Sequence, residues 1–303
     1  MLGPVLFLLF VNDISCSVSG ANLCLFADDT SLSISNKSLH RLEIESFVQV
    51  SSVVQWINSN GLFINSGKTK SLHFGHTNNK NSLVDAINIF VGEQRIEESQ
   101  NTNFLGIIVD SKLSFSDHID HVLGRLCKAL FLLRRLQCFK DRNIMLTAYY
   151  GCFFPHITYA LPIWGCESGR TKQIFKLQKK AIRIVFDLQY TQSCKGVFRQ
   201  NQILTFSSAY ILECASFIIK NINLFGKRQS TRPTRNNNFL PVPAHKTSHF
   251  ERQGHYMCIK IYNKLPLSFQ SIHDPVKFRS RLKSFLVGKE YYSIKDFFED
   301  KLM

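Results

Sequence analysis

The nine cysteines of this 303-residue chain include no C-x-x-C pair. That excludes the common zinc-ribbon and dithiol redox patterns, and the thiols are expected to be free. Long apolar runs are missing too. No stretch approaches the ~20 residues that a membrane-spanning helix needs. The apolar start from Val5 to Val11 has no Lys or Arg before it, and Asn12-Asp13 follows it, so it does not read as a secretory leader. An intracellular location, nuclear or cytoplasmic rather than secreted, is the expectation. Acidic residues are scarce: 22 Asp and Glu stand against 37 Lys and Arg, a net charge of +15. Such an excess implies a polyanionic partner, either nucleic acid or an acidic membrane surface. The charge is spread over residues 109–303 rather than gathered on one amphipathic helix, which argues against the membrane.

What is present is unevenly arranged. Residues 1–108 hold 6 basic and 9 acidic side chains, whereas residues 109–303 hold 31 and 13. An acidic block therefore precedes a strongly basic one. Phenylalanine is abundant, at 26 residues, which implies sizeable cores or exposed stacking surfaces. The length suits about two domains.

The most informative stretch runs from Leu23 to Leu32. Apolar residues lead into Asp28 and Asp29, and a second apolar alternation leads out through Leu32 and Ile34. This reads as strand, tight turn, strand, with the carboxylates at the tip. Neighbouring side chains in a strand face opposite ways, so a turn is needed to aim both acids at one place. Paired carboxylates repel unless a cation lies between them, and Mg²⁺ prefers oxygen ligands. Phe26-Ala27-Asp28-Asp29 alone fits an acidic turn on a solvated loop better than a catalytic hairpin. The order of the flanking segments points further.

Those segments resemble the reverse transcriptases of non-long-terminal-repeat (LINE-type, jockey-like) retrotransposons. Gly3-Pro4 through Asn12-Asp13 is similar to the end of the polymerase segment before the catalytic hairpin. It is expected to form a buried helix, apolar on nearly every face. After the hairpin comes an amphipathic helix over about Lys37 to Asn58, with Gly61 as its stop. Gly61-Leu62 to Lys68-Thr69 resembles the family's Gly-Leu-x-Leu-Asn-x-x-Lys-Thr, and a strand is expected from Ser71 to Phe74. His76 to Ser82 reads as a loop. Ile87, Ile89 and Val91 alternate like a strand, with Gly92-Glu93 as a turn. Asn103 to Asp110 reads as one strand, and Phe104-Leu105-Gly106 to His118-Ile119 is similar to the family's link from palm to thumb, with Phe115 where the family usually has Trp.

The basic block reads as helices. Leu123, Leu126, Leu130 and Leu133 make an apolar stripe beside Arg125, Lys128, Arg134 and Arg135. A second helix is expected over about Asn143 to Phe153, ending near Pro155. His156 to Gly165, Lys172 to Phe186, Tyr262 to Pro266 and Phe278 to Leu286 each resemble family segments. Ser208 to Ile222 reads as a short apolar helix, and Gly226 to Arg235 as a polar basic loop. Asp117 is expected to cap a helix and His118 to pack at the joint between palm and thumb. His118 and His121, three apart, also admit a metal reading, as do His245, His249, His255 and Cys258, although the latter fit no common zinc spacing.

The resemblance implies an α+β chain: half a polymerase palm over residues 1–110, a basic helical thumb over 111–190 and a helical region over 191–303. It implies Asp28 and Asp29 as catalytic ligands of Mg²⁺, or of Mn²⁺ in its place, and Lys68 as a lysine near the incoming triphosphate. RNA template, DNA primer and dNTP are the implied partners. Lys128, Arg134, Arg135, Lys176, Lys179, Lys180 and Arg183 would meet backbone phosphates. The family's Gln-Gly segment, its first catalytic aspartate and its fingers have no match here, so the chain is expected to be an inactive C-terminal fragment. The alternative is a nucleic-acid-binding remnant whose carboxylates are idle.

Overall fold

The computed structural model describes residues 2–75, 88–91, 94–166, 168–225 and 240–301. The expected loops over His76 to Ser82 and Gly226 to Arg235, the turn at Gly92-Glu93 and the contribution of Ile87 to a strand lie outside the described residues. The chain is mixed α and β and divides into two compact units, residues 1–114 and 115–303.

The first unit opens with helix α1 (Leu2–Val11), where Pro4 sits near the start and lacks only an N–H that has no partner there. The expectation that this helix is buried is wrong. Only Val11 is enclosed, while Leu2, Val5, Leu6, Leu8, Leu9 and Phe10 are exposed. The physical reason is a lack of partners: a helix apolar all round needs neighbours on every side. Here α1 touches mainly the following turn over Asn12–Ser17, with Phe10 lying 6.5 Å from the Trp56 ring.

Strands β1 (Asn22–Phe26) and β2 (Asp29–Ser33) form an antiparallel hairpin in register from Asn22↔Ser33 to Phe26↔Asp29. Helix α2 (Leu39–Ser59) follows. Its buried Gln49 donates to the Ser19 carbonyl at 2.5 Å and accepts from the Ser19 N–H at 3.1 Å, which ties the segment before the hairpin to the helix. Gly61 adopts φ +69°, and the Leu62 N–H reaches the Ile57 carbonyl at 3.0 Å. That left-handed step after the helix is one glycine takes without a Cβ clash. The strand expected over Ser71 to Phe74 is shorter and earlier, β3 (Lys70–Ser71). Short strands β4 (Phe90–Val91) and β5 (Gln94–Arg95) pair antiparallel, and β6 (Glu97–Glu98) pairs parallel with β3, setting Lys70 opposite Glu97.

The single strand expected over Asn103 to Asp110 is in fact a hairpin, β7 (Asn101–Phe104) and β8 (Ile107–Asp110). Leu105 and Gly106 both have positive φ, 47° and 80°. Two such residues make a tight hairpin turn whose twist matches the strands, so the chain reverses inside what reads as a continuous apolar run. The core of this unit is thin: Val11, Ile14, Val53, Ile96 and Ile107 are its buried hydrophobic residues among those described.

The second unit is helical. Helix α3 (Ser116–Leu136) packs on α7 (Thr171–Val185), after the intervening α4 (Arg142–Ala148), α5 (Phe154–Thr158) and α6 (Leu161–Trp164). Asp117 does not cap α3. Phe115 holds that position at φ 55°, and Asp117 lies in the first turn, where a carboxylate favours the helix dipole. Leu126 and Leu133 are fully enclosed; burying a leucine stabilises by about 1.5–3 kcal/mol. Pro155 does not end the second helix either. After α4 the chain widens into one π-type turn, Tyr149–Phe153, and continues into α5 with Pro155 near its start, where the missing N–H costs little.

Helices α8 (Val197–Gln200), α9 (Phe206–Lys220), α10 (Ser248–Glu251), α11 (Gly254–Lys264), α12 (Leu267–Gln270), α13 (Pro275–Lys289) and α14 (Ile294–Glu299) complete the unit. α9 is its centre. Twelve of its residues are buried, and α5, α6, α7, α11, α13 and α14 surround it. A run that is apolar on all faces, as in α1, is here supplied with neighbours.

Candidate catalytic hairpin and cationic surfaces

The β1–β2 turn is two residues long, Ala27 and Asp28, and Asp29 opens β2. Ala27 takes φ 52°, a left-handed conformation that costs a residue with a Cβ. The reversal places Asp28 in the turn and Asp29 beside it on the returning strand. Leu23 and Leu25 are half-buried along one face of β1, and Asn22, Cys24 and Phe26 are exposed. Both carboxylates are exposed, and neither makes a side-chain hydrogen bond or ion pair among the described residues.

Lys68 lies in a turn held by Asn65. Its N–H meets the Asn65 carbonyl at 3.0 Å and the Asn65 side-chain oxygen at 3.2 Å, and the Thr69 hydroxyl donates to the same carbonyl at 2.9 Å. The lysine side chain is exposed. No hydrogen bond or ion pair joins it to either aspartate among the described residues.

The fit of a metal ion to this hairpin is good in kind but short in number. Two adjacent oxygen donors without a protein partner suit a hard divalent cation. Among the described residues, however, no group of three or more His, Cys, Asp or Glu gathers as a metal site. The histidine pairs do not supply one. His118 is buried with its ring edge-on to Trp164 at 5.4 Å, and burial, with a smaller push from His121, lowers its pKa to about 4. His245 contacts Glu251 at 2.8 Å, and His255 stacks on Phe225 at 5.3 Å.

On α7, Thr171, Ile174, Gln178, Ala181, Ile182 and Val185 face inward. The cations lie on the remaining surface but differ in freedom. Lys176 is exposed, Lys179 sits over the Phe175 ring at 4.9 Å, and Arg183 donates through Nε to the Gln192 carbonyl at 2.9 Å. Lys180 is half-buried. On α3, Lys128, Arg134 and Arg135 are exposed, with Arg135 over the Phe131 ring at 5.5 Å.

Sequence reasoning missed a groove between α3 and α5. Its walls include His121, Gly124, Arg125, Lys128, Cys152 and His156, and it is a shallow depression, open to solvent, of about 550 Å³. The signal was the spacing of His121, Arg125 and Lys128, which sets three nitrogen-bearing side chains along one helical face. Nothing local in the sequence brings His156 to that face.

Residues 1–109, the part that carries the hairpin and Lys68, match the family described as reverse transcriptase (RNA-dependent DNA polymerase). This part of the chain is thus similar in sequence to reverse transcriptases, and the relatives that follow belong to transposable elements. The chain is 27% identical over 197 residues to a probable RNA-directed DNA polymerase from transposon X-element of Drosophila melanogaster, covering 61% of this chain and 21% of that protein. It is 27% identical over 143 residues to a retrovirus-related Pol polyprotein from a type-1 retrotransposable element R1 of Nasonia vitripennis, covering 46% of this chain and 37% of that one. A probable RNA-directed DNA polymerase from transposon BS of Drosophila melanogaster is 25% identical over 201 residues, covering 63% and 22%. The matches thus span about a fifth to two-fifths of these relatives' lengths. No solved structure matches the chain.

Proposed function

We propose that residues 1–110 are half of a reverse transcriptase palm, followed by a basic thumb over 111–190 and a helical C-terminal region over 191–303, as part of an RNA-directed DNA polymerase of a mobile element. One observation carries this reading. The two-residue turn sets Asp28 and Asp29 side by side, unpartnered among the described residues, inside the segment that matches reverse transcriptases. Asp28 is the main ligand for Mg²⁺ or Mn²⁺ and Asp29 the supporting one. When bound, the ions supply charge that activates a primer hydroxyl and steadies the leaving oxygens. Lys68 lends positive charge near the nucleotide triphosphate, and the α3 and α7 cations hold the RNA template and DNA primer by their phosphates.

Among the described residues no third metal-binding side chain joins these two carboxylates, which are too few to hold a pair of metal ions, so this chain by itself binds template–primer without extending it. Primer extension with RNA template, DNA primer, dNTPs and Mg²⁺ tests this. Robust incorporation that Asp28→Ala abolishes would overturn the inactivity but keep the site. A second reading is favoured by the same shortage of donors: a nucleic-acid-binding module with idle acids. In that case reversing the charge of Lys179 and Lys180 abolishes nucleic-acid binding, while Asp28→Ala changes nothing.

A further inference from the structure

Three of the nine cysteines meet inside the second unit, each from a different element. Cys214 lies on α9 and Cys258 on α11, and both are enclosed. Cys166 follows α6 and is half-buried, so it meets water in part. Helix α9 packs on both α6 and α11, which brings the three together. The Cys214 thiol hydrogen-bonds with the Cys258 thiol, and Cys166 lies close enough to act on it electrostatically. None of the three is in a disulfide.

Tyr210 belongs to the same cluster. It precedes Cys214 by one helical turn, so the two share a face of α9. Its hydroxyl is enclosed and makes no well-formed hydrogen bond among the described residues. Its titratable neighbours are the three thiols, and sulfur is a weak hydrogen-bond partner. A Cβ on Gly165 would lie 2.6 Å from the Tyr210 ring. The missing side chain lets the Gly165-Cys166 backbone press against the tyrosine. A phenylalanine would fill that space without enclosing a hydroxyl, and packing alone asks only for small apolar groups where the thiols stand. Packing therefore leaves both the hydroxyl and the gathering of sulfurs unexplained.

We propose that this cluster is an oxidation site, where a peroxide drives a disulfide between Cys214 and Cys258, with Cys166 reacting first and Tyr210 donating to the departing oxygen. Burial holds the Tyr210 phenol and the Cys214 thiol well above their ordinary pKa values, so both stay protonated. An enclosed, protonated thiol is a poor first target, so the first oxidation falls on Cys166. Its sulfur takes one oxygen from hydrogen peroxide, and a water leaves. The Cys214 sulfur then attacks the Cys166 sulfenyl sulfur. The S–O bond breaks, and the hydroxyl departs as water with the Cys214 proton. Cys258 next attacks the Cys214 sulfur, and its proton passes to Cys166, which is a thiol again. Two thiols and one peroxide thus give one disulfide and two waters. For the final bond the sulfurs close from hydrogen-bonding contact to about 2.05 Å. The link staples α9 to α11. This site stands apart from the polymerase reading and does not depend on it.

The test treats the folded full chain with hydrogen peroxide and maps the products by mass spectrometry without reduction. The wild type should yield a Cys214–Cys258 peptide pair lighter by two hydrogen atoms, which dithiothreitol reverses. The linked chain should melt at a higher temperature than the reduced one. Cys166→Ser should slow the link at least about tenfold. Tyr210→Phe keeps the shape, removes only the hydroxyl and should slow it several-fold. Cys258→Ala should halt the reaction at a Cys166–Cys214 disulfide. Mapping the wild type needs no variant, so a variant that fails to fold leaves the test decisive. Peroxide that oxidises only exposed cysteines such as Cys127 and Cys152 would overturn the proposal. So would a link that appears only after unfolding in urea. A link that forms as fast in Cys166→Ser and Tyr210→Phe as in the wild type would overturn the route through Cys166.

Discussion

Gln178 donates through Nε2 to the phenol oxygen of Tyr149 at 3.0 Å, inside the second unit where neither residue meets solvent. The same amide nitrogen reaches the Leu204 carbonyl at 2.9 Å, and the amide oxygen accepts from the Phe206 N–H at 2.7 Å. One polar side chain thus joins α7, the π-type turn and the start of α9. Burial pushes the Tyr149 pKa up, and the hydrogen bond with Gln178 offsets part of that. Replacing Gln178 with Leu strands three enclosed polar groups. Unsatisfied buried groups cost about 1–3 kcal/mol each, so Gln178→Leu should destabilise the second unit by at least about 2 kcal/mol. Urea unfolding followed by circular dichroism measures it.

Asp28→Asn tests the hairpin without any need for turnover. Both acids are exposed, and substitutions at such positions usually change stability by less than about 0.5 kcal/mol. Mn²⁺ should broaden the amide resonances of Ala27, Asp28 and Asp29 in the wild-type chain. Asp28→Asn should remove most of that broadening and leave the melting temperature in place.

His118 makes the second unit sensitive to acid. Its folded pKa is about 4, against an ordinary value of 6.5. The unfolded chain binds the proton more readily between those values, so stability is complete above about pH 6.5 and falls as the pH drops toward 4. The loss reaches at most about 3 kcal/mol, from 1.36 kcal/mol per pKa unit. Urea midpoints at pH 7 and pH 5 should differ in that direction, and His118→Leu should flatten the difference.

Gly254 begins α11 against α6. A Cβ there would run into the backbone carbonyl of Pro162 and lie 3.2 Å from the Ile163 Cα. Backbone cannot yield as a side-chain tip does. Gly254→Ala should therefore cost about 1–3 kcal/mol by overpacking, whereas Gly288→Ala, which meets nothing within 4 Å, should be neutral or stabilising. Thermal melts of the two variants separate these outcomes.

The longer helices were legible because their apolar spacing is regular. The stripe of Leu123, Leu126, Leu130 and Leu133 and the inward face of α7 are written at helical period, and both helices pack along those faces. The acidic hairpin was legible from its alternation and paired acids. Other features were hidden for physical reasons. Leu105 carries no mark of the left-handed conformation it adopts, so a reversal looked like a continuous strand. Pro155 reads as a helix stop, yet a wider turn before it removes the need for its N–H. Apolar content could not say whether α1 has neighbours, and among the described residues it has few. The groove joins residues about thirty positions apart, which no local pattern encodes.

The scarcity of enclosed side chains among the described residues of 2–114 bears on how a sample of this protein would survive handling. A stretch with so little interior opens often, and cleavage follows the open population. Brief digestion with chymotrypsin should trim the front of the chain first, at sites such as Phe63 and Phe74 that already stand in water. What persists should be a resistant piece starting near Phe115, and the part that resembles polymerases should be the first to vanish from a gel.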